Sequence, residues 1–156
     1  MSTLATRRLV LSLIALGAVL GATRLRAQPS AAVKVWKDPN CGCCSGWVDH
    51  LRRNGFAVAV FETADMQAVK VQRRVPAALA SCHTAEVGRY IIEGHVPASA
   101  IRRLLSEKPE ALGLAVPGMP IGSPGMEGGT PVIYEVVLFG TRPAAVYGRF
   151  LGDQPV

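Results

Sequence analysis

Three cysteines fall within four residues in the run Asn40-Cys41-Gly42-Cys43-Cys44-Ser45-Gly46-Trp47, and this cluster narrows the choice of fold and chemistry more than any other feature of the chain. A β-branched, alternating run, Val33-Lys34-Val35-Trp36, precedes it and reads as a strand. Asp38-Pro39-Asn40 breaks that strand. An amphipathic run from about Cys43 to Asn54 follows, with Trp47, Val48 and Leu51 on one side and Gly55 as its left-handed stop. The arrangement is strand, tight turn, then helix, with sulfur at the helix start. The first helical turn carries unpaired N–H groups and the positive end of the macrodipole. Both favour thiolate over thiol, which makes better nucleophiles and better metal ligands. The rest of the chain is expected to fold around this corner and bring further soft ligands to it.

The remaining pattern supplies an α/β frame. Phe56–Phe61 is nearly all apolar, as in a strand buried on both faces. Thr63 to Arg74 reads as a helix capped by Thr63, with Met66 as core filler, and it ends at Val75-Pro76. Ala77 to Thr84 reads as a strand carrying Cys82, and Tyr90–Glu93 as its hairpin partner. Pro97 opens a helix over about Ala98 to Ser106. The order is βαβαββα, which is the thioredoxin-like order. Residues 117–131 then change character: nine of the fifteen are Pro or Gly, and Pro117-Gly118-Met119 repeats as Pro124-Gly125-Met126. Methionines in a loop without helical or strand period have no core role, and the glycines let the backbone approach another surface closely. Val132–Phe139 and Ala144–Phe150, joined through Gly140-Thr141-Arg142-Pro143, would add one or two strands at a sheet edge.

The formal charge of +6 misleads, because Arg7, Arg8, Arg24 and Arg26 lie in the first 27 residues with no acidic partner. The remainder holds 13 basic against 11 acidic residues, with no dense basic stripe, which argues against nucleic-acid binding. Residues 1–27 read as a targeting segment: Arg7-Arg8, then an uncharged apolar run from Leu9 to Ala22, then Leu25-Arg26-Ala27 before cleavage. That run is shorter than the ~20 residues a spanning helix needs, so no stable membrane insertion is expected after its removal. Thr6-Arg7-Arg8-Leu9-Val10-Leu11 fits a twin-arginine signal, and an ordinary secretory signal fits as well. Residues 28–156 are then one exported domain.

Export with four cysteines raises the question of disulfides. Cys43 and Cys44 are neighbours and bond badly to one another, whereas Cys41 and Cys44 form a C-x-x-C pair that geometry allows. The soft donors number six: Cys41, Cys43, Cys44, Cys82, Met119 and Met126. Thiolate with thioether selects Cu(I) among biological metals, structural zinc wants four Cys or His ligands, and iron–sulfur cysteine spacings are absent. Six sulfurs exceed what one Cu(I) needs, which points to more than one ion. Alternation on a regular strand would turn His83 away from a site that Cys82 faces. His95 sits in a loop at a strand end, where ligands commonly lie, and His50 falls on the flank of the first helix, facing solvent. An imidazole at the edge of a sulfur site would also accommodate Cu(II).

These motifs resemble a known family. Asp38-Pro39-Asn40-Cys41-Gly42-Cys43-Cys44, Ser81-Cys82-His83-Thr84-Ala85, Glu93-Gly94-His95-Val96-Pro97-Ala98, and Gly118-Met119-Pro120 with Gly122-Ser123-Pro124-Gly125-Met126-Glu127 are similar, in order and separation, to the CopG-type copper-resistance proteins. The resemblance spans about residues 33–139. It implies a periplasmic, thioredoxin-like protein binding copper, as single ions or a cluster, through Cys41, Cys43, Cys44, Cys82, Met119 and Met126, with His83 and His95 nearby. It assigns no enzymatic reaction. Two further readings remain open: a thiol–disulfide oxidoreductase using Cys41-x-x-Cys44, with Val75-Pro76 beside the cysteines, and a carrier handing copper to an efflux pump or oxidase.

Overall fold

The computed structural model describes residues 31–140 and 143–156; the expected targeting segment at 1–27 and Thr141-Arg142 of the turn expected after Phe139 lie outside the described residues. One mixed sheet organises the described chain. Its strands are β1 (Ala32–Lys37), β2 (Ala57–Glu62), β3 (Thr84–Val87), β4 (Tyr90–Glu93), β5 (Gly113–Ala115), β6 (Ile133–Phe139), β7 (Ala145–Leu151) and β8 (Gln154–Pro155). Across the sheet they run β2-β1-β3-β4-β5-β6-β7-β8. The β1–β2 and β4–β5 pairs are parallel and the others antiparallel. Helices α1 (Gly42–Arg53), α2 (Met66–Gln72) and α3 (Ala98–Glu107) complete the α/β architecture.

The larger core lies between the sheet and helices α1 and α3. Val33, Val35, Ala85, Val87, Ile92 and Leu114 meet Trp47, Leu51, Ile101 and Leu104 there, all but fully buried. Two hydrogen bonds tie the helices together. The Trp47 indole N–H donates to the Val96 carbonyl at 2.9 Å, and the Ala98 N–H at the start of α3 donates to His50 Nε2 at 3.1 Å. His50 is therefore buried, contrary to the solvent-facing position expected from helical angle. The reason is that Pro97 lacks an N–H and the first free donor of α3 needs an acceptor, which α1 supplies from its flank.

Several boundaries differ from the sequence expectation. Helix α2 starts three residues later than expected, because the Asp65 side chain, not that of Thr63, accepts the capping N–H, from Ala68 at 2.9 Å. The expected strand Ala77–Thr84 is a short 3-10 turn (Ala77–Leu79) and an irregular segment, and β3 begins only at Thr84. The β3–β4 turn is Gly88-Arg89, with Gly88 at φ +56°, a compact hairpin that leaves Glu86 and Val87 in the strand. Four strands follow α3 where one or two were expected. β5 and β8 have three and two residues, too short to show a period.

The registers align four strand ends. Trp36 of β1 pairs with Thr84, Thr84 with Glu93, and Glu93 with Ala115. Just beyond this row the chain leaves β1 toward Cys41, has just passed Cys82 to enter β3, leaves β4 toward His95, and leaves β5 into the Pro/Gly/Met loop. The topology therefore delivers all four motifs to one end of the sheet.

Candidate metal centre

Local chemistry builds the cysteine corner first. The Asp38 side chain accepts the Asn40 N–H at 2.8 Å and its carbonyl accepts the Cys41 N–H at 3.1 Å, which folds the tight turn. Lys37 Nζ donates to the same Asp38 carbonyl and pairs with Glu62 at 3.2 Å, fastening the turn to β2. Cys41 is the N-cap residue of α1 and Cys43 and Cys44 lie in its first turn, with no acidic residue to oppose the helix dipole. Cys41 and Cys44 are joined in a disulfide, with Cα atoms 5.4 Å apart, while Cys43 and Cys82 are thiols. Cys43 Sγ lies 3.5 Å from Cys41 Sγ and 3.9 Å from Cys82 Sγ. All four sulfurs fall within 4.8 Å of one another, a grouping able to hold a metal ion.

Cys82 is also the hinge to a second grouping. Its Sγ lies 3.0 Å from His95 Nε2 and 3.4 Å from His83 Nδ1, and the three donors could share a metal. His83 therefore turns toward Cys82. The strand alternation that argued otherwise does not apply, because neither residue is in β3. His95 Nδ1 lies 2.8 Å from the Pro124 carbonyl. A carbonyl only accepts, so Nδ1 carries the proton and the Nε2 lone pair faces the sulfur. This is how ligating imidazoles are oriented by an outer partner. His83 Nε2 is buried without a hydrogen-bond partner, and its ring packs against Trp47 at 4.4 Å and edge-on to His95 at 5.0 Å.

Burial sets the protonation states. It drives the Cys82 thiol up to about 12, with the adjacent Cys43 adding to the effect. It holds His83 well below the usual histidine range, with His95 and Lys70 pushing the same way. His95 is lowered by burial and partly restored by the Pro124 carbonyl. At neutral pH the imidazoles are thus neutral and Cys82 is protonated.

The loop reaches this corner by backbone contact. Gly125, at φ +88°, lies so close to α1 that an added Cβ would sit 2.5 Å from the Cys43 carbonyl oxygen and 2.6 Å from the Trp47 nitrogen. Gly46 meets it from the other side: a Cβ there would be 3.1 Å from Gly125 Cα. Met126 consequently lines an open depression with Gly42, Cys43, Ile121 and Glu127. Met119 is 53% exposed, at the tip of the first Pro-Gly-Met unit, near Ser81, whose hydroxyl donates to the Gly118 carbonyl. The structure thus brings Cys41, Cys43, Cys44, Cys82, His83 and His95 together, sets Met126 beside Cys43, and leaves Met119 turned to solvent. Sequence reasoning missed the Pro124 carbonyl and the Gly46–Gly125 approach. The available signals were the Pro-Gly pair before Met126 and a glycine inside an otherwise good helix.

A protein-family signature described as "Protein of unknown function, DUF411" matches residues 79–126, the stretch that includes Cys82, His83, His95, Met119 and Met126. Two solved structures match over most of the chain. "Copper resistance protein copG- Form 2" is 45% identical, covering 78% of this chain and 98% of its own, with a TM-score of 0.73. The chain belongs to the CopG family of copper resistance proteins. "Form 1" of the same protein gives 46% identity, the same coverage and a TM-score of 0.72. No curated protein sequence matches the chain. The chain is thus a relative of copper resistance proteins, with a cysteine cluster at this end of the sheet that is able to bind metal.

Proposed function

We propose that this chain is an exported copper-binding protein of copper resistance, which holds Cu(I) as cargo in its sulfur corner. The observation that carries the reading is the convergence of Cys41, Cys43, Cys44 and Cys82 within 4.8 Å. When an external dithiol reduces the Cys41–Cys44 disulfide by thiol–disulfide exchange and is itself oxidised to a disulfide, four thiols become available, and soft thiolate donors select Cu(I). Four sulfurs so close together suit bridging thiolates and more than one ion. Met126 adds a thioether from the depression beside Cys43, and Met119 completes the set if its exposed arm folds inward. His95 Nε2 and His83 supply nitrogen at the edge, which suits Cu(II) and would let the site cycle between the two copper states. The donor chemistry fits copper: His83 has a buried nitrogen without a partner, and His95 is already oriented by a carbonyl.

The wider reading rests on the same observations. Residues 28–156 form one thioredoxin-like domain, supported by the strand order β2-β1-β3-β4 with α1 after β1 and α3 after β4. Residues 1–27 direct export to the periplasm by either the twin-arginine or the general route. No helix among the described residues is long and apolar enough to cross a membrane. A copper efflux or oxidase component is the natural recipient of the cargo.

The test is metal per chain in the purified protein, reduced and loaded without oxygen. At least one Cu(I) should bind, with all four cysteines protected from alkylation and X-ray absorption dominated by sulfur with a short copper–copper vector. Less than one copper per chain with four titratable thiols would end the reading.

One observation favours a second reading. A C-x-x-C disulfide at a helix start, with Cys41 half-buried and Cys44 fully buried, also suits thiol–disulfide exchange. Against it, Cys43 lies within 3.5 Å of Cys41, where it would compete for any mixed disulfide. Pro76 also precedes the 3-10 turn rather than β3, which is entered through Cys82-His83. Insulin reduction by the metal-free protein, lost in Cys44→Ser but kept in Met119→Leu/Met126→Leu, would favour exchange.

A further inference from the structure

On the α2 face of the sheet, next to the metal centre, the apolar packing is interrupted by a charged pair. Glu93 is completely buried, and Lys70 of α2 nearly so. Lys70 Nζ donates to Glu93 Oε1 at 2.5 Å and to Thr84 Oγ1 at 3.1 Å, and the Thr84 hydroxyl donates to Glu93 Oε2 at 2.6 Å. The remaining bond leaves this network: the Ser81 N–H donates to Glu93 Oε1 at 2.7 Å. Ser81 is the residue before Cys82. It sits in the irregular segment ahead of β3, where no strand ladder holds the backbone.

The same residue touches the other arms of the site. The Glu93 carbonyl accepts the Val116 N–H at 3.0 Å, at the point where the chain leaves β5 for the methionine loop. The next residue, Gly94, donates its N–H to the His83 carbonyl at 3.0 Å and leads into His95. Ser81 extends the chain of contacts by donating its hydroxyl to the Gly118 carbonyl, beside Met119. Gly94 itself is packed so closely, at φ +70°, that an added Cβ would lie 2.6 Å from the Ser81 side chain and 2.8 Å from the Val116 carbonyl oxygen. Segments 81–83, 93–95 and 116–119 are thus pinned to one another around Glu93, whose carboxylate supplies the bond to the Ser81 N–H while backbone bonds and the Ser81 hydroxyl supply the rest.

We propose that Glu93, with Lys70 as its buried counter-ion, is a positioning residue for the metal centre, its carboxylate holding the Ser81–Cys82 backbone so that Cys82 Sγ stays between Cys43 and the two imidazoles. A buried ion pair is a poor way to gain stability, since well-packed apolar residues often serve as well or better. Its use here is geometric: a carboxylate on β4 accepts an N–H of a segment that has no ladder partner. The inference takes the copper-binding reading for its affinity measurement, and a second measurement on metal-free protein stands without it.

The test compares two double variants of the full chain. Lys70→Met/Glu93→Leu removes the charges together with the acceptor for Ser81. Lys70→Met/Glu93→Gln removes the charges but keeps a carbonyl oxygen for the same N–H. In the metal-free, reduced protein the rate of Cys82 alkylation, followed by peptide mass spectrometry, should rise at least about tenfold in the Leu variant and return to within about threefold of wild type in the Gln variant. Cu(I) affinity, by chelator competition, should fall about 10–100-fold in the Leu variant and recover in the Gln variant, the usual scale for losing an outer partner of a ligand. Equal Cys82 reactivity in the two variants overturns the proposal. If the wild type binds no Cu(I) while the alkylation rates still separate, the copper reading fails and the positioning role stands. Should the Leu variant not fold, amide exchange of Ser81 in metal-free wild type decides. Protection retained in the Gln variant supports the role, and exchange at the rate of an unstructured chain in the wild type overturns it.

Discussion

Gly125→Ala is the sharpest test of how the methionine loop is held. At φ +88° an L-residue is strained by about 1–2 kcal/mol, judged from the cost of left-handed backbone. Its Cβ would also fall 2.5 Å from the Cys43 carbonyl oxygen and 2.6 Å from the Trp47 nitrogen, both backbone atoms of a helix that cannot yield. Overpacking of that kind adds about 1–3 kcal/mol if the loop stays in place. Lifting the loop off α1 is cheaper: it forfeits the His95–Pro124 hydrogen bond, worth about 0.5–1.5 kcal/mol, and the contacts around it. The fold should therefore lose only about 1–3 kcal/mol in urea unfolding followed by Trp fluorescence, while the site loses Met126 and the carbonyl that orients His95. Gly118→Ala is the control, with φ +69° but nothing within 4 Å of the added Cβ, so it carries the strain alone. Cu(I) affinity should drop about 10–100-fold in Gly125→Ala and far less in Gly118→Ala. Wild-type affinity in Gly125→Ala, or equal losses in both, would refute the docking argument.

Trp47→Phe strands the buried Val96 carbonyl, which should cost about 1–3 kcal/mol of unfolding free energy beyond the lost ring volume, and an unchanged urea midpoint would contradict it. His50, His83 and His95 all have native pKa values lowered from 6.5, chiefly by burial. Below 6.5 the unfolded chain therefore binds more protons, and metal-free stability, fully present above that pH, should decline as the pH falls through the histidine range. A flat midpoint from about pH 7.5 to 5.5 would refute this. Because Cys82 is protonated at neutral pH, Cu(I) loading should release protons, and affinity should climb with pH. Loading in weak buffer with a pH electrode checks the sign, and proton-free uptake would contradict it.

The sulfur corner was legible because its evidence is local. A strand, a breaker, a helix pattern and three cysteines lie in one short run, and α1 follows Cys41 as expected. The α/β alternation and the loop that comes close to a helix were legible for the same reason. What was not legible depends on partners distant in sequence. His50 reads as solvent-facing from helical angle alone, yet a proline-opened helix 48 residues away needs its lone pair. Cys82 reads as a strand residue from composition, yet Glu93 holds the preceding N–H outside any ladder. That displacement reverses the orientation of His83, since the two-residue alternation applies only inside a strand. The two thioethers, alike in sequence, differ in the fold. Gly125 docks on α1 and sets Met126 in the depression that Cys43 also lines, while a Cβ at Gly118 would meet nothing within 4 Å.

The division of labour within the site follows from the sheet. The row Trp36–Thr84–Glu93–Ala115 is fixed by ladder hydrogen bonds on both sides, and the β3–β4 register is set by the Gly88-Arg89 turn. A one-residue slip there would exchange Glu93 for Ile92 on the α2 face, break the contact to Ser81 and carry His95 away from Cys82. None of the donors lies in a ladder. Cys82, His83 and His95 sit one or two residues beyond it and Cys41 four, with Cys43 and Cys44 in the first turn of α1, and each group has a tie outside the ladder: Asp38 to the Cys41 N–H, Glu93 to the Ser81 N–H before Cys82, and the Pro124 carbonyl to the His95 ring. Such a frame can keep its shape while the sulfur chemistry changes. Reducing Cys41–Cys44 breaks one covalent bond at the start of α1 and none in the row or its three ties, so disulfide and dithiol forms are expected to share one scaffold. On the proposed copper reading the number of free thiols would then vary with redox state, and the positions from which they are offered would not.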